Sequence, residues 1–537
     1  MRTPALLALF ALSTAGVSGC SDFVDEGDPE DSVAVDDGKA DDFFSTSALE
    51  YWVEGTSSVS LDPSMSTASA DARMAAAKKL IAYKQIAIAW FLTQYLVDKD
   101  KADDTNYKFG GFGGIAKGGM WQDLGVTEHA DKITYDFRFK QLVAGNKNMM
   151  SKLPVHTANG KTVFDLEIGR PSNAELAQLT TNEEWYRNAP WDGWDPGLVA
   201  PDKKEPMTFA ISKERASTDA FFDLKKLASD GKIDIDVYFG WDYHSDYHLK
   251  HSKMFFTWLK NQGFTTPVAT WDSLTKDTGA FTRTLTADGQ TVKIEVRIYF
   301  GKPGTATDPD TDAGGKVLEG LARNSLKTRD VVLYAGHSGP FYGFALANWK
   351  MTNEGDLDDS EMRTIDLASK YQIVVAEGCD TYQIGEAFLA NPNKAGKNVD
   401  VITTTSFSDA STPATVEDFV TALLAHDSTG RLRPQVISSL LTKLDSEAYG
   451  FHTMYGLHGI DNDPKLHPFA NTSAFGTKCT ANAQCGGPGN LCVSMGTLGK
   501  RCTAACAADG ACPTSYTCKA VASSSTSTIY GKACARN

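Results

Sequence analysis

From Lys232 onward the chain alternates short apolar runs with amphipathic stretches. Ile233–Gly240 (IDIDVYFG), Lys293–Gly301 (KIEVRIYFG), Val331–Gly336, Gln372–Ala376 and Val399–Thr405 are of strand length and rich in β-branched residues. Runs of this kind closed by small residues are the pattern of buried parallel strands. Helical patterns lie between them. His248–Gly263 places Phe255, Phe256, Trp258 and Leu259 on a buried side, with Gly263 as its stop. Gly315–Leu326 is the next. Asp358–Lys370 follows, with Asp358, Asp359 and Glu361 in the first turn, where the helix dipole favours anions. Phe419–Leu424 and Pro434–Leu444 are later helices. The alternation predicts an α/β unit over residues 230–470, with a mainly parallel sheet, right-handed crossovers and helices on both faces.

The pattern before residue 230 differs. Residues 46–225 read as an α+β domain whose role the pattern leaves open. Ser/Thr-rich residues 46–66 are expected to be irregular. Ala70–Lys99 is a strong helix, with Leu80, Tyr83, Ala87, Trp90, Phe91, Gln94 and Tyr95 on one face, and its stretch Ile86–Leu92 is apolar all round, as in a buried helix. Lys132–Val143 and Thr162–Ile168 alternate as strands do. Asn182–Pro206, rich in Trp, Pro and Asp, reads as a long surface loop. Phe109–Trp121 (FGGFGGIAKGGMW) is glycine-rich, but it follows a charged loop and no Lys-Ser/Thr closes it, so a flexible loop is expected rather than a phosphate cradle.

Both ends point to export. Residues 1–20 (MRTPALLALFALSTAGVSGC) have a short positive start, an apolar run from Leu6 to Val17 and small residues before Cys20. That is a secretory signal, and its last four residues resemble a bacterial lipobox, which implies cleavage before Cys20 and lipidation of its thiol. Ser21 fits sorting to the outer membrane, so the membrane is an expected partner through the lipid. Residues 21–45 read as a disordered acidic tether. Asp22 to Asp42 holds ten acidic residues and one Lys, which places −9 of the net −15 there. What remains is mildly acidic, without a basic patch, and argues against nucleic acid.

Residues 475–537 form a small module holding Cys479, Cys485, Cys492, Cys502, Cys506, Cys512, Cys518 and Cys534. Both halves end alike, Gly499-Lys500-Arg501-Cys502 and Gly531-Lys532-Ala533-Cys534, as a degenerate repeat of four cysteines. So many cysteines in a small exported segment predict a disulfide framework. Zinc is the rival, but the module lacks C-x2-C spacing and clustered His.

Ten cysteines minus Cys20 and these eight leaves Cys379. A buried Cys can be a small hydrophobe. Here, however, one predicted strand delivers His337 in Gly-His-Ser-Gly and the next delivers Cys379 in Glu-Gly-Cys-Asp. Chemistry in open α/β sheets sits at such strand ends. A thiol near neutrality needs a base, and His can take the proton and then give it to a leaving amine. Backbone N–H groups at Ser338, Gly339 and the Gly378–Cys379 turn could form an oxyanion hole. The carboxylates of Glu377 and Asp380 flank the Cys and read as solvated or specificity-loop charges; a charge there would raise the thiol pKa. Ser338 has no G-x-S-x-G elbow to make it a nucleophile.

Two metal patterns also stand out. Asp308, Asp310, Asp312 and Glu319 occupy positions 1, 3, 5 and 12 of a calcium-loop spacing, but position 6 is Ala313 and a strand precedes it. A polar loop capping the next helix fits better, with structural calcium as the alternative. His244, His248 and His251, beside Asp242 and Asp246, would share one face of a helix; polar residues on the substrate side fit them better than a metal site.

The two turns at His337 and Cys379 resemble those of the caspase–legumain–gingipain superfamily of cysteine peptidases (clan CD), and the element order over about residues 230–410 is similar as well. The family has Gly directly after the His where this chain has Ser338, and commonly Ala where it has Gly378. The resemblance implies a caspase-hemoglobinase-like sandwich. It implies a thiol protease (hydrolase) acting on polypeptide substrates, with Cys379 as nucleophile, His337 as acid/base, no obligatory third residue and no required cofactor. The alternative is a catalytically inactive surface lipoprotein on the same scaffold, serving binding or adhesion.

Overall fold

The computed structural model describes residues 43–97, 112–113, 121–178, 188–191, 193–338, 343–394, 398–409, 411–446, 453–521 and 531–536. The signal, Cys20, nearly all of the acidic tether and Gly339 lie outside these, as does most of the glycine-rich stretch. In chain order the first elements are β1 (Phe44–Ser45), β2 (Ala48–Ser60), α1 (Ala70–Val97), β3 (Phe112–Gly113), β4 (Trp121–Glu128), β5 (Thr134–Asn146), α2 (Met149–Lys152), β6 (His156–Ala158), β7 (Lys161–Gly169), α3 (Asn173–Ala177) and β8 (Lys204–Lys213). Then follow α4 (Leu224–Leu227), β9 (Lys232–Phe239), α5 (Tyr247–Asn261), β10 (Phe281–Ala287), β11 (Gln290–Phe300), α6 (Asp312–Thr328), β12 (Val331–Ala335), β13 (Phe344–Ala345) and β14 (Asp356–Leu357). The α/β part continues with α7 (Asp359–Met362), β15 (Gln372–Glu377), α8 (Tyr382–Ala390), β16 (Val399–Thr404), α9 (Ala414–Leu423), α10 (Ile437–Ser446) and β17 (Tyr455–His458). Last come β18 (Asn490–Ser494), β19 (Lys500–Ala504), β20 (Tyr516–Ala520) and β21 (Lys532–Arg536).

The main sheet has eight strands in the order β1-β17-β16-β15-β12-β9-β11-β10. Its centre, β16 to β11, is parallel throughout, as the β-branched runs predict. Strands β10, β17 and β1 pair antiparallel at the edges. Side-chain alternation builds a core on each face. Val331 and Leu333 of β12 join Phe255, Leu259, Phe419 and Leu441 of α5, α9 and α10. Val332 and Tyr334 join Leu318, Leu326, Ile384 and Phe388 of α6 and α8. Helices thus cover both faces of a mixed, mainly parallel sheet.

A second sheet of seven strands runs β3-β5-β2-β8-β7-β6, with β4 also paired to β5, and packs on α1. Here two expectations change. Residues 46–66 are not irregular: β2 pairs with β5 along its whole length and with β8 over part of it. Tyr51, Val53 and Val59 point into the core while Thr56 and Ser58 face outward, so alternation survives a polar composition. Nor is Asn182–Pro206 a surface loop throughout, because Trp191 and Trp194 stack together inside the core with Phe91.

A third change concerns Asp358–Lys370. The capping box of Asp358 and Glu361 forms, but the helix stops at Met362. Leu367 is buried, and the Ala368 N–H donates to Leu326 O at the end of α6 (2.9 Å) instead of to its own helix. Tertiary burial overrides local propensity there.

The C-terminal eight cysteines form four disulfides, Cys479–Cys492, Cys485–Cys502, Cys506–Cys518 and Cys512–Cys534. Each half closes around its own hairpin, β18–β19 or β20–β21, with the same first-to-third and second-to-fourth pairing. Phe221 and Val436, which precede α4 and α10, pack with Leu491, Ala505 and Ala533 and join the module to the α/β unit. Among the described residues no helix is long and apolar enough to cross a membrane.

Candidate functional site

Three neighbouring parallel strands, β9, β12 and β15, end at one edge of the main sheet in Gly240, Gly336 and Gly378. The close packing of these ends needs glycine. A Cβ on Gly378 would lie 2.4 Å from Ser338 Cβ and 2.8 Å from Gly336 O, and one on Gly336 would lie 2.7 Å from Gly240 Cα. No side chain fits at such separations, so the turns that follow are held together. Ala335 pairs with Glu377 in the ladder, and Gly336 N–H donates to Glu377 O at 3.2 Å. The turns therefore carry His337 and Cys379 on adjacent strand ends at the carboxyl end of the sheet.

Cys379 is the one cysteine among the described residues that is not in a disulfide, and it is partly exposed. The next residue, Asp380, has φ 50°, an uncommon conformation outside glycine, and its N–H donates to Ser406 O at 3.0 Å. This sharp bend places the cysteine at the apex of the turn. Its side chain also packs against the apolar cluster of the second sheet. That sheet meets the same edge through Tyr382, whose hydroxyl donates to Glu50 Oε1 at 2.6 Å in a buried bond, and through Phe43, Ala48 and Ala144.

The third strand end supplies a partner for the histidine. Asp242 Oδ1 lies 2.7 Å from His337 Nε2, and both side chains are buried. Its other oxygen, Oδ2, accepts the N–H groups of His244, Ser245 and Tyr247 at 2.8–3.1 Å. Burial alone would raise the Asp242 pKa. The His337 bond and the N–H groups outweigh it and hold the carboxyl well below the usual carboxylate range. A fixed carboxylate on Nε2 selects the tautomer with its proton there and leaves Nδ1 as the basic nitrogen. Tyr243 stacks on the imidazole with ring centroids 4.6 Å apart, and Trp349 meets it edge-on. Asp242 was legible only as a neighbour of histidines. The stronger signal was its place shortly after a strand-ending glycine, two residues past Gly240, as His337 comes one residue past Gly336.

Glu377 and Asp380 are not solvated charges, since both side chains are buried. Burial, with the nearby Cys379 adding to it, pushes the Glu377 carboxyl up to about 8. At neutral pH this group is therefore protonated, and it does not oppose a thiolate. The Tyr455 hydroxyl lies 3.3 Å from its Oε1.

The other sequence candidates fall as follows. Ser338 is fully buried beside Gly378, Gly378 itself lies in the turn, and Gly339 lies outside the described residues. The calcium-spaced carboxylates each serve a separate neighbour. Asp308 accepts the N–H groups of Gly304 and Asp310, Asp310 binds Asn348, Asp312 binds Thr352, and Glu319 pairs with Arg323. His248 and His251 lie buried on α5, but His244 precedes the helix and turns toward His337, with ring centroids 5.3 Å apart. The three therefore do not share a helix face. No family model, curated protein or solved structure matches this chain.

Proposed function

We propose that this chain is a cysteine endopeptidase of the caspase–legumain–gingipain kind, exported and tethered by lipid at Cys20 to a bacterial outer membrane, at its surface or its periplasmic face. The observation that carries this reading is the placement, on adjacent strand ends, of Cys379, a cysteine outside any disulfide, and of a histidine whose Nε2 is engaged by a buried carboxylate. In this reading His337 Nδ1 takes the Cys379 proton, and the sulfur attacks a peptide carbonyl. The oxyanion meets backbone N–H groups of the Ser338–Gly339 and Gly378–Cys379 turns. The histidine then returns the proton to the leaving amine, a thioester remains, and water hydrolyses it. Asp242 is a positioning residue. It holds the tautomer and stabilises the imidazolium.

Four disulfides support an oxidising compartment. The parallel sheet with helices on both faces supports the caspase-like comparison as far as architecture goes. Incubation of the intact protein with a peptide library tests the reading. Cleavage that is lost in Cys379→Ala and in His337→Ala supports it. A folded protein that cleaves no member of the library points instead to an inert scaffold that binds a partner.

A further inference from the structure

Asp242, His244 and His337 offer a carboxylate oxygen and two imidazole nitrogens that all lie within 4.8 Å of one another. They are the only such group among the described residues apart from cysteines already joined in disulfides. Two of the three are buried, and His244 is exposed, which leaves an open side. We propose that this trio is a site for a zinc-like divalent cation, and that its occupancy switches the Cys379–His337 dyad off. The switching rests on the peptidase reading; the site does not.

The donor set is that of open zinc centres, which use three protein ligands from imidazole and carboxylate and keep a fourth position free. The carboxylate is already oriented, because the N–H groups of His244, Ser245 and Tyr247 hold Asp242 Oδ2. Such support fixes ligands in working sites. The His244 backbone belongs to the same turn, so only its exposed ring must move. Bonds of about 2.0–2.1 Å in a tetrahedron put ligand atoms roughly 3.3 Å apart. The His337–Asp242 pair at 2.7 Å would open slightly and the His244 ring would swing inward.

The effect on the dyad follows from counting protons on one ring. Without metal, Asp242 accepts the Nε2 proton and Nδ1 keeps a lone pair for the thiol. With the cation on Nε2, a neutral imidazole must carry its single proton on Nδ1. It can then no longer accept the Cys379 proton. No bond to sulfur is needed. The opposing charge nearby is Lys350, whose Nζ sits 4.6 Å from the centre of the Tyr243 ring.

The probe is Zn²⁺ alone, titrated calorimetrically into full-length Cys379→Ser protein so that the thiol contributes nothing. One equivalent should bind, and adding His244→Ala or His244→Asn should weaken binding roughly tenfold or more. Absence of binding, or binding that both His244 variants leave unaltered, overturns the site. With Cys379 intact, Zn²⁺ should stop peptide cleavage, a chelator should restore it, and the His244 variants should need about tenfold more zinc relative to their own metal-free rates. Cleavage indifferent to zinc in protein that binds it overturns the switch. Zinc binding in a protein that cleaves nothing without metal defeats the peptidase reading and leaves the site standing.

Discussion

Glu377 offers a sharp test of the electrostatics beside the thiol. Its carboxyl is held protonated up to about 8, against an ordinary value of 4.5, chiefly by burial. A group whose folded pKa is raised favours the native state while it keeps its proton. That contribution is complete below about pH 4.5 and is lost as the pH climbs through about 8. At about 1.4 kcal/mol per unit, the interval corresponds to stabilisation of order 4–5 kcal/mol that wild-type protein loses between mildly acidic and alkaline pH. Glu377→Gln keeps the shape and the hydrogen-bonding partner in Tyr455 but cannot ionise. Urea unfolding at a series of pH values from 5 to 9 should show two similar proteins at the acidic end, with the variant pulling ahead by several kcal/mol at the alkaline end. Curves that stay parallel across the series would refute the claim that this carboxyl is buried and neutral. The same substitution should extend the alkaline limb of peptide cleavage, because ionisation of Glu377 places a negative charge next to the sulfur.

Further outcomes follow from the geometry. Asp242→Asn preserves acceptors for the turn N–H groups but turns an amide donor toward His337, forcing its proton to Nδ1; peptide cleavage should fall by about 10²–10⁴ with little change in circular dichroism. Gly378→Ala places a methyl 2.4 Å from Ser338 Cβ; it should lower stability by about 1–3 kcal/mol in chemical denaturation and reduce thiol reactivity with it. Mild reduction should release the C-terminal hairpins first, each disulfide loop of 12–22 residues being worth about 3 kcal/mol, while the near-ultraviolet spectrum of the main sheet's aromatic side chains persists. Lys350→Gln should tighten zinc binding to the Cys379→Ser protein, read by calorimetry.

The parallel core was legible because its chemistry repeats in the chain. Val331–Leu333 and Ile373–Val375 are apolar on both faces, and only a strand covered on both sides is written that way. Strand β2 was hidden because Ser and Thr fill its outer face, so its buried positions are carried by only a few large side chains such as Tyr51, Val53 and Val59. The short α7 was hidden because the reason it stops at Met362 lies in α6, at Leu326, 36 positions earlier in the chain. Edge strand β17 was missed because its partners, β16 and β1, come from distant segments, whereas β10 was missed although the Asp288-Gly289 turn joins it directly to β11. At the site, Cys379 and His337 announced themselves by strand-ending glycines. Asp242 carried the same sign after Gly240 and was masked by the histidines around it. The burial of Glu377 could not be read, since a carboxylate beside a turn ordinarily faces water.

Peptide cleavage at this site requires that His337 activate Cys379. The most direct measurement is stoichiometric labelling of the intact protein with a thiol-reactive peptidyl electrophile, with the modified residue located by mass spectrometry. One label at Cys379 in the wild type, and its loss in folded His337→Ala, is the predicted result. Equal labelling of both proteins, or none in the wild type, would contradict it.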